Sequence, residues 1–207
     1  MSCQAAHQLR RLHGAGHIET VSTPFDWLIA PPVALARWLE AGLCDFAVSD
    51  IVAERGHAYW PAHGFWLWHG FQDGAKGSRR LAIAETVARE REKLAHQRDN
   101  LDRALARGAA FVVTNLQNNL RTDTARESVF ARHEADRARF TAVDIDRLAA
   151  ALSARAGRTV GLHVLTRADR CEPALAERAD VTVAAPGTSE WKGEDGVWDR
   201  WAARLSA

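Results

Sequence analysis

Excess charge of one sign is the first thing this sequence lacks. Its 207 residues carry 27 Lys and Arg against 26 Asp and Glu, a formal charge of +1. A nucleic-acid binder driven by bulk electrostatics is therefore not expected. Lysine is scarce, present only as Lys76, Lys93 and Lys192, and arginine supplies the remaining positive charge. With the abundant alanine, this reads as coding bias and carries no mechanism. No apolar run approaches the ~20 residues that cross a bilayer, and Met1-Ser2-Cys3-Gln4 is neither a basic nor an apolar leader. Three cysteines, Cys3, Cys44 and Cys171, form no disulfide framework and show no CxxC spacing. The default expectation is a cytoplasmic protein in a reducing setting, with neither membrane nor nucleic acid as partner.

Signature motifs are missing as well. The sequence holds no GxGxxG, GxxxxGK, GxSxG or HExxH, so a nucleotide loop, a serine elbow and a zincin helix have no support. His57, His63 and His69 recur six residues apart, which fits neither one helix face nor a zinc knuckle. No metal and no cofactor is expected.

What is present suits one globular domain over residues 1–207, 47% hydrophobic and 26% charged. Ala6, Leu9 and Leu12 predict a short helix over 3–13 with Gly14 as its stop. Thr23-Pro24-Phe25-Asp26-Trp27 reads as a compact aromatic turn. Pro32 opens a helix whose apolar face runs through Val33, Ala36, Leu39 and Leu43. Tyr59 to Phe71 reads as strand and loop, with Phe65, Leu67 and His69 on one side and Trp66 and Trp68 on the other. The strongest helical pattern runs from Ser78 to Arg107, on Leu81, Ala84, Val87, Leu94, Leu101 and Leu105, and ends at Gly108. Phe111-Val112-Val113-Thr114 is a buried strand by length and β-branching. Residues 116–140 are ambiguous. A helix over 143–156, strands over 159–165 and 180–183, and a last helical turn with Trp201 and Leu205 complete the chain. Interleaved helices and strands make the fold class α/β or α+β, with a central sheet flanked by helices.

Cys3 is the first chemical candidate. A thiol becomes a useful nucleophile when its thiolate is stabilised, and the N-terminal end of a helix does this through free N–H groups and the positive end of its dipole. An ordinary small buried residue is the plainer reading. A nucleophilic cysteine also needs a base. His7 lies one turn further along the same helix, where base geometry is rare. His69 sits among bulky apolar neighbours that can fix its orientation and tune its pKa, or it is a histidine satisfied by a backbone carbonyl. Cys44 and Cys171 have no polar constellation around them in sequence and are read as packing residues. The eight tryptophans are read as core filling ahead of a sugar-binding groove.

Ser2-Cys3-Gln4-Ala5-Ala6-His7-Gln8-Leu9-Arg10-Arg11, followed by Pro24-Phe25-Asp26-Trp27-Leu28, resembles a bacterial family of unknown function described as papain-like cysteine peptidases. His69-Gly70-Phe71, the stretch from Asp99-Asn100-Leu101-Asp102-Arg103 to Phe111-Val112-Val113, and Trp191-Lys192-Gly193 with Trp198 extend the likeness over most of the chain. It is specific in the first thirty residues and loose after about position 115. Gly70 stands where the family pattern leads one to expect an acidic residue. The resemblance implies a single papain-like domain in which Cys3 is the nucleophile and His69 the base. A third residue orients the imidazole in such arrangements, for which Asn115, at the end of the buried strand, is the first candidate and Asp73 the second. Asp26 is expected to brace the turn by accepting backbone hydrogen bonds. The implied function is a cysteine hydrolase cleaving an amide or acyl bond in a peptide, acyl or glycan substrate. Two alternatives stay open. One is a catalytically weak or inactive copy that binds carbohydrate or protein through the Tyr59–Phe71 aromatics. The other is a Cys-dependent transferase that modifies acyl groups or glycans.

Overall fold

The computed structural model describes residues 3–26, 28–54, 56–74, 80–116, 139–185 and 194–205. Helix α1 (Cys3–Gly14) comes first, followed by a short strand β1 (Leu28–Ile29) and helix α2 (Pro32–Glu40). Pro31 is extended and Pro32 occupies the first helical turn of α2, where its missing N–H costs nothing. Strands β2 (Val52–Glu54), β3 (His57–Trp60) and β4 (Phe65–Leu67) then form an antiparallel sheet with β1 in the order β1-β4-β3-β2. A two-stranded ribbon of β5 (Gln72–Asp73) and β6 (Arg80–Leu81) leads into the long helix α3 (Ile83–Arg107).

The second half alternates strand and helix. Strand β7 (Phe111–Thr114), helix α4 (Ala142–Ala156), strand β8 (Leu162–Arg167), a short helix α5 (Pro173–Ala176), strand β9 (Val181–Ala184) and helix α6 (Asp195–Leu205) follow. Strands β7, β8 and β9 are parallel, in that order, with Val113 opposite Val164 and Val164 opposite Val181. Alternation along these strands divides the core. Val113, Leu162, Val164 and Val181 pack with Leu101, Leu105, Ile145 and Leu148 of α3 and α4. Val112 and Leu165 pack with Ala5 and Leu12 of α1 and with Val197, Trp198 and Trp201 of α6. The parallel sheet is thus the middle layer of an α/β/α sandwich, and the period of two along a strand is its cause. The larger core cluster also takes in Trp38 of α2 and Ala58, Trp60 and Phe65 of the antiparallel sheet, so both sheets share one core. The fold is mixed α and β, as composition and patterning predict.

The expected helix over 78–107 starts later than its periodicity predicts. Residues 78 and 79 lie outside the described residues, and Arg80 and Leu81 are strand, with Leu81 paired to Gln72. Ala82 N–H donates to Phe71 C=O at 2.8 Å, and α3 begins only after it. Leu81 still packs on the core, but from a strand, and Ala84 is exposed. Tertiary pairing has overridden local helical preference. At the other end Gly108 adopts φ +87° and donates to Ala104 and Leu105, a left-handed cap that glycine takes without strain. Likewise, α2 stops at Glu40, and Leu43 is buried at φ +55° in the turn after it instead of extending the helical face. The predicted strand over 159–165 runs instead over Leu162–Arg167, and the final turn is a helix of 11 residues.

Candidate functional site

Helix α1 begins at Cys3 and runs for 12 residues, as its apolar spacing predicts. The Cys3 side chain lies outside what is described. Its neighbours Ala5, Ala6 and Leu9 line a cavity of about 600 Å³, closed on other sides by Phe25, Asp26, Ala104 and Trp201. That size is typical of small-ligand pockets, which are mostly apolar with a few placed polar groups. Asp26 is such a group. Its carboxylate accepts from Thr23 N–H at 3.4 Å and from Thr23 Oγ1 at 3.3 Å, and Asp26 N–H donates to Thr23 C=O. The expected brace of the turn is therefore present. Burial pushes the Asp26 carboxyl above its ordinary range, while bonds from Thr23 and Ser22 and the Arg10 charge on α1 partly offset that rise. Trp27, the last residue of the aromatic turn, lies outside the described residues.

Strands β1 and β4 pair antiparallel, Leu28 with Leu67 and Ile29 with Trp66. The chain entering β1 and the chain leaving β4 therefore lie at the same end of the sheet. His69 stands in that outgoing turn, which Gly70 N–H closes onto Leu67 C=O at 3.0 Å. It is exposed, and it does not share the inward side with Phe65 and Leu67, because the strand has ended. Trp66 lies on the outer face with Tyr59 and Ile29, opposite Phe65. His57 stacks on Trp68 at 3.5 Å between ring centroids, and Tyr59 lies 4.6 Å from Trp66.

Asn115 is buried at the carboxyl end of β7, where open parallel sheets characteristically carry their sites. Its Nδ2 donates to Arg170 C=O at 3.1 Å and its Oδ1 accepts from Arg167 N–H at 3.1 Å, while Arg170 Nη1 donates to the Asn115 C=O at 2.6 Å. The amide thus ties the end of β7 to the turn after β8. Asp73 is exposed in β5, 3.7 Å from Arg80. Trp191, Lys192 and Gly193 of the sequence pattern lie outside the described residues.

Cys171 is buried in the core, as expected of a packing residue. Cys44 also packs against this core, but its reading as a residue without polar company is corrected. The thiol has a polar neighbour after all: Sγ lies 3.4 Å from Nε2 of His63. These residues are 19 apart in sequence, and only the return of the chain after β3 brings them together, so no local spacing signals the pair. Among the described residues, no group of three His, Cys, Asp or Glu side chains could hold a metal ion, and no helix is long and apolar enough to cross a membrane. No family model, curated protein or solved structure matches the chain.

Proposed function

We propose that this chain is a papain-like cysteine hydrolase cleaving an amide or acyl bond, with Cys3 as nucleophile and His69 as base. One observation carries the reading: a helix of three turns begins at Cys3, and its first two turns line, through Ala5, Ala6 and Leu9, the cavity that also takes in the half-buried Asp26. The start of that helix supplies N–H groups that stabilise a thiolate and then a tetrahedral oxyanion. Cys3 attacks the carbonyl carbon, and protonated His69 gives its proton to the leaving group. Water then cleaves the thioester and restores the thiol. The shared end of β1 and β4 supports His69 as the base, because the His69 turn leaves the sheet beside the chain that carries Asp26. Asn115 is the first candidate for orienting the imidazole, and its burial at a strand end supports a fixed position. Asp73 is the second.

The deciding measurement is the pH dependence of Cys3 alkylation by iodoacetamide, read by peptide mass spectrometry in the wild type and in His69→Ala, with buried Cys171 as internal reference. The expected result is a Cys3 thiolate titrating well below the ordinary value of about 8.5, with the shift lost when His69 is removed. A Cys3 that titrates as a free thiol in both proteins refutes the pair. The second reading is then a carbohydrate- or protein-binding module on the outer face of the antiparallel sheet, where Tyr59 and Trp68 are half-buried around the buried Trp66. Titration with oligosaccharides followed by tryptophan fluorescence tests it.

A further inference from the structure

The Cys44–His63 pair lies outside the proposed active site and has its own chemistry. Cys44 follows α2 in a turn held by Trp38 Nε1–H donating to Cys44 C=O at 3.1 Å and by Arg98 Nη1 donating to Leu43 C=O at 2.9 Å. His63 sits in the turn between β3 and β4, where its main-chain N–H donates to Trp60 C=O at 3.2 Å. Its ring is packed edge-on against Trp60 at 4.4 Å and stacked toward Phe65 at 5.9 Å, with Trp38 at 6.4 Å. Those three aromatic residues are themselves buried, so they form a rigid floor that fixes the imidazole. Cys44 and His63 are each half-buried, and Asp45, Pro61 and Ala62 beside them are exposed. The pair therefore lies at the edge of the core and not inside it.

We propose that Cys44 and His63 form a second nucleophilic site, a neutral thiol–imidazole pair that takes up small uncharged electrophiles by addition. In the Nδ1–H tautomer, Nε2 of His63 presents its lone pair to the Cys44 S–H. As sulfur bonds to the β-carbon of an α,β-unsaturated carbonyl compound, the thiol proton passes to Nε2. His63 then returns that proton to the α-carbon. One S–C bond and one C–H bond form, the S–H bond and the carbon–carbon π bond are consumed, and no oxidant or leaving group is needed. A base held within hydrogen-bond reach of a nucleophile is the arrangement that general-base catalysis requires.

The surroundings favour the neutral form of the pair. Burial pushes the Cys44 thiol up, Asp50 and Asp45 push it further, and Arg98 opposes them. Burial pulls His63 below its ordinary range. Arg91 bonds Asp45 at 3.1 Å and Arg98 lies 4.0 Å from it, so Asp45 is itself partly neutralised. A pair of this kind has a reactivity profile unlike that of a free thiol. A free thiol reacts through its thiolate, and its rate rises about tenfold per pH unit below its pKa. A thiol whose proton leaves to a neutral imidazole reacts at a rate set by the imidazole, which is already unprotonated above about pH 6.5.

Acrylamide is the probe, and the rate of adduct formation at each cysteine is read by peptide mass spectrometry from about pH 6.5 to about pH 8. The proposal expects a nearly flat profile at Cys44. At the low end, His63→Gln should lose at least tenfold in rate and gain the steep rise of a free thiol, since general-base assistance is worth 10²–10⁴-fold at its fullest. His63→Gln leaves the Cys3 helix untouched, so Cys3 serves as a reference within the same digest. A steep wild-type profile at Cys44 overturns the proposal, as does a rate that His63→Gln leaves unchanged. If His63→Gln fails to fold, the wild-type profile alone decides between flat and steep.

Discussion

Replacing Asn115 by alanine removes a clamp between two parallel strands, and the structure fixes how much that should cost. Asn115 is 2% exposed, and its amide bonds the main-chain N–H of Arg167 and C=O of Arg170, each at 3.1 Å. Both partners are backbone groups of buried residues, and alanine's side chain offers neither a donor nor an acceptor. Each buried group left without its bond costs about 1–3 kcal/mol, so the pair should cost about 2–6 kcal/mol. Arg170 Nη1 donates to the main-chain oxygen of residue 115, so that third bond survives. Asn115→Asp keeps the acceptor but sets a buried carboxylate oxygen against the Arg170 C=O, so it too should be destabilised relative to wild type. Urea unfolding followed by far-UV circular dichroism measures this. With a slope of about 2 kcal/mol per molar urea, the alanine midpoint should drop by roughly 1–3 M. An Asn115→Ala protein within 0.5 kcal/mol of wild type would refute the clamp. The same variants carry a functional readout. A residue that orients the His69 imidazole shifts the pH profile of Cys3 alkylation when changed, whereas one that only holds the sheet together leaves the profile in place.

Three further outcomes are expected. Leu101 is fully buried between the parallel sheet and α3, so Leu101→Ala should cost about 2–5 kcal/mol in the same urea assay, and a loss under 1 kcal/mol would mean that the two layers do not share this core. Gly108 and Gly157 both cap helices at positive φ, but a Cβ at Gly108 would stand 2.9 Å from Arg158 Nη2, while nothing lies within 4 Å of one at Gly157. Because Arg158 Nη2 also donates to Leu105 C=O at 2.6 Å, Gly108→Ala should be the more destabilising of the two by about 1 kcal/mol, with thermal melts as the comparison. Burial raises the Asp26 carboxyl pKa in the folded state, so the folded chain holds that proton more tightly than the unfolded chain, and stability is lost as pH rises through the folded value. Asp26→Asn should accordingly gain stability over wild type at about pH 7 and lose that advantage at about pH 3; an advantage that does not change with pH refutes the account.

How much of this was legible in the sequence depends on whether the deciding contacts are local. Helix α1 and the long helix α3 are visible because an apolar stripe and a glycine stop lie in the residues themselves, and the buried strand Phe111–Thr114 because four consecutive apolar or β-branched residues can satisfy no amphipathic helix. Asp26 bracing its own turn is likewise readable, since donor and acceptor are three residues apart. The start of α3 is not readable, because Arg80 and Leu81 pair with a strand formed by Gln72 and Asp73, and no periodicity in the helix records that partner. Nor is the pairing of Cys44 with His63, which depends on the left-handed Leu43 in the turn after α2 and on the chain after β3 bringing His63 against Trp38 and Trp60. The role of Asn115 falls between the two. Its place at a strand end follows from the sequence, but the backbone groups it binds belong to residues 52 and 55 positions away. By itself, then, the sequence determined where α1, the body of α3 and the buried strand Phe111–Thr114 form, because those follow from periods of 3.6 and 2, but not the strand at Arg80–Leu81 or the outward placement of Ala84 and His69. Tertiary structure alone decided which polar groups meet, because hydrogen bonds act over about 3 Å and the chain has to fold before distant residues come that close.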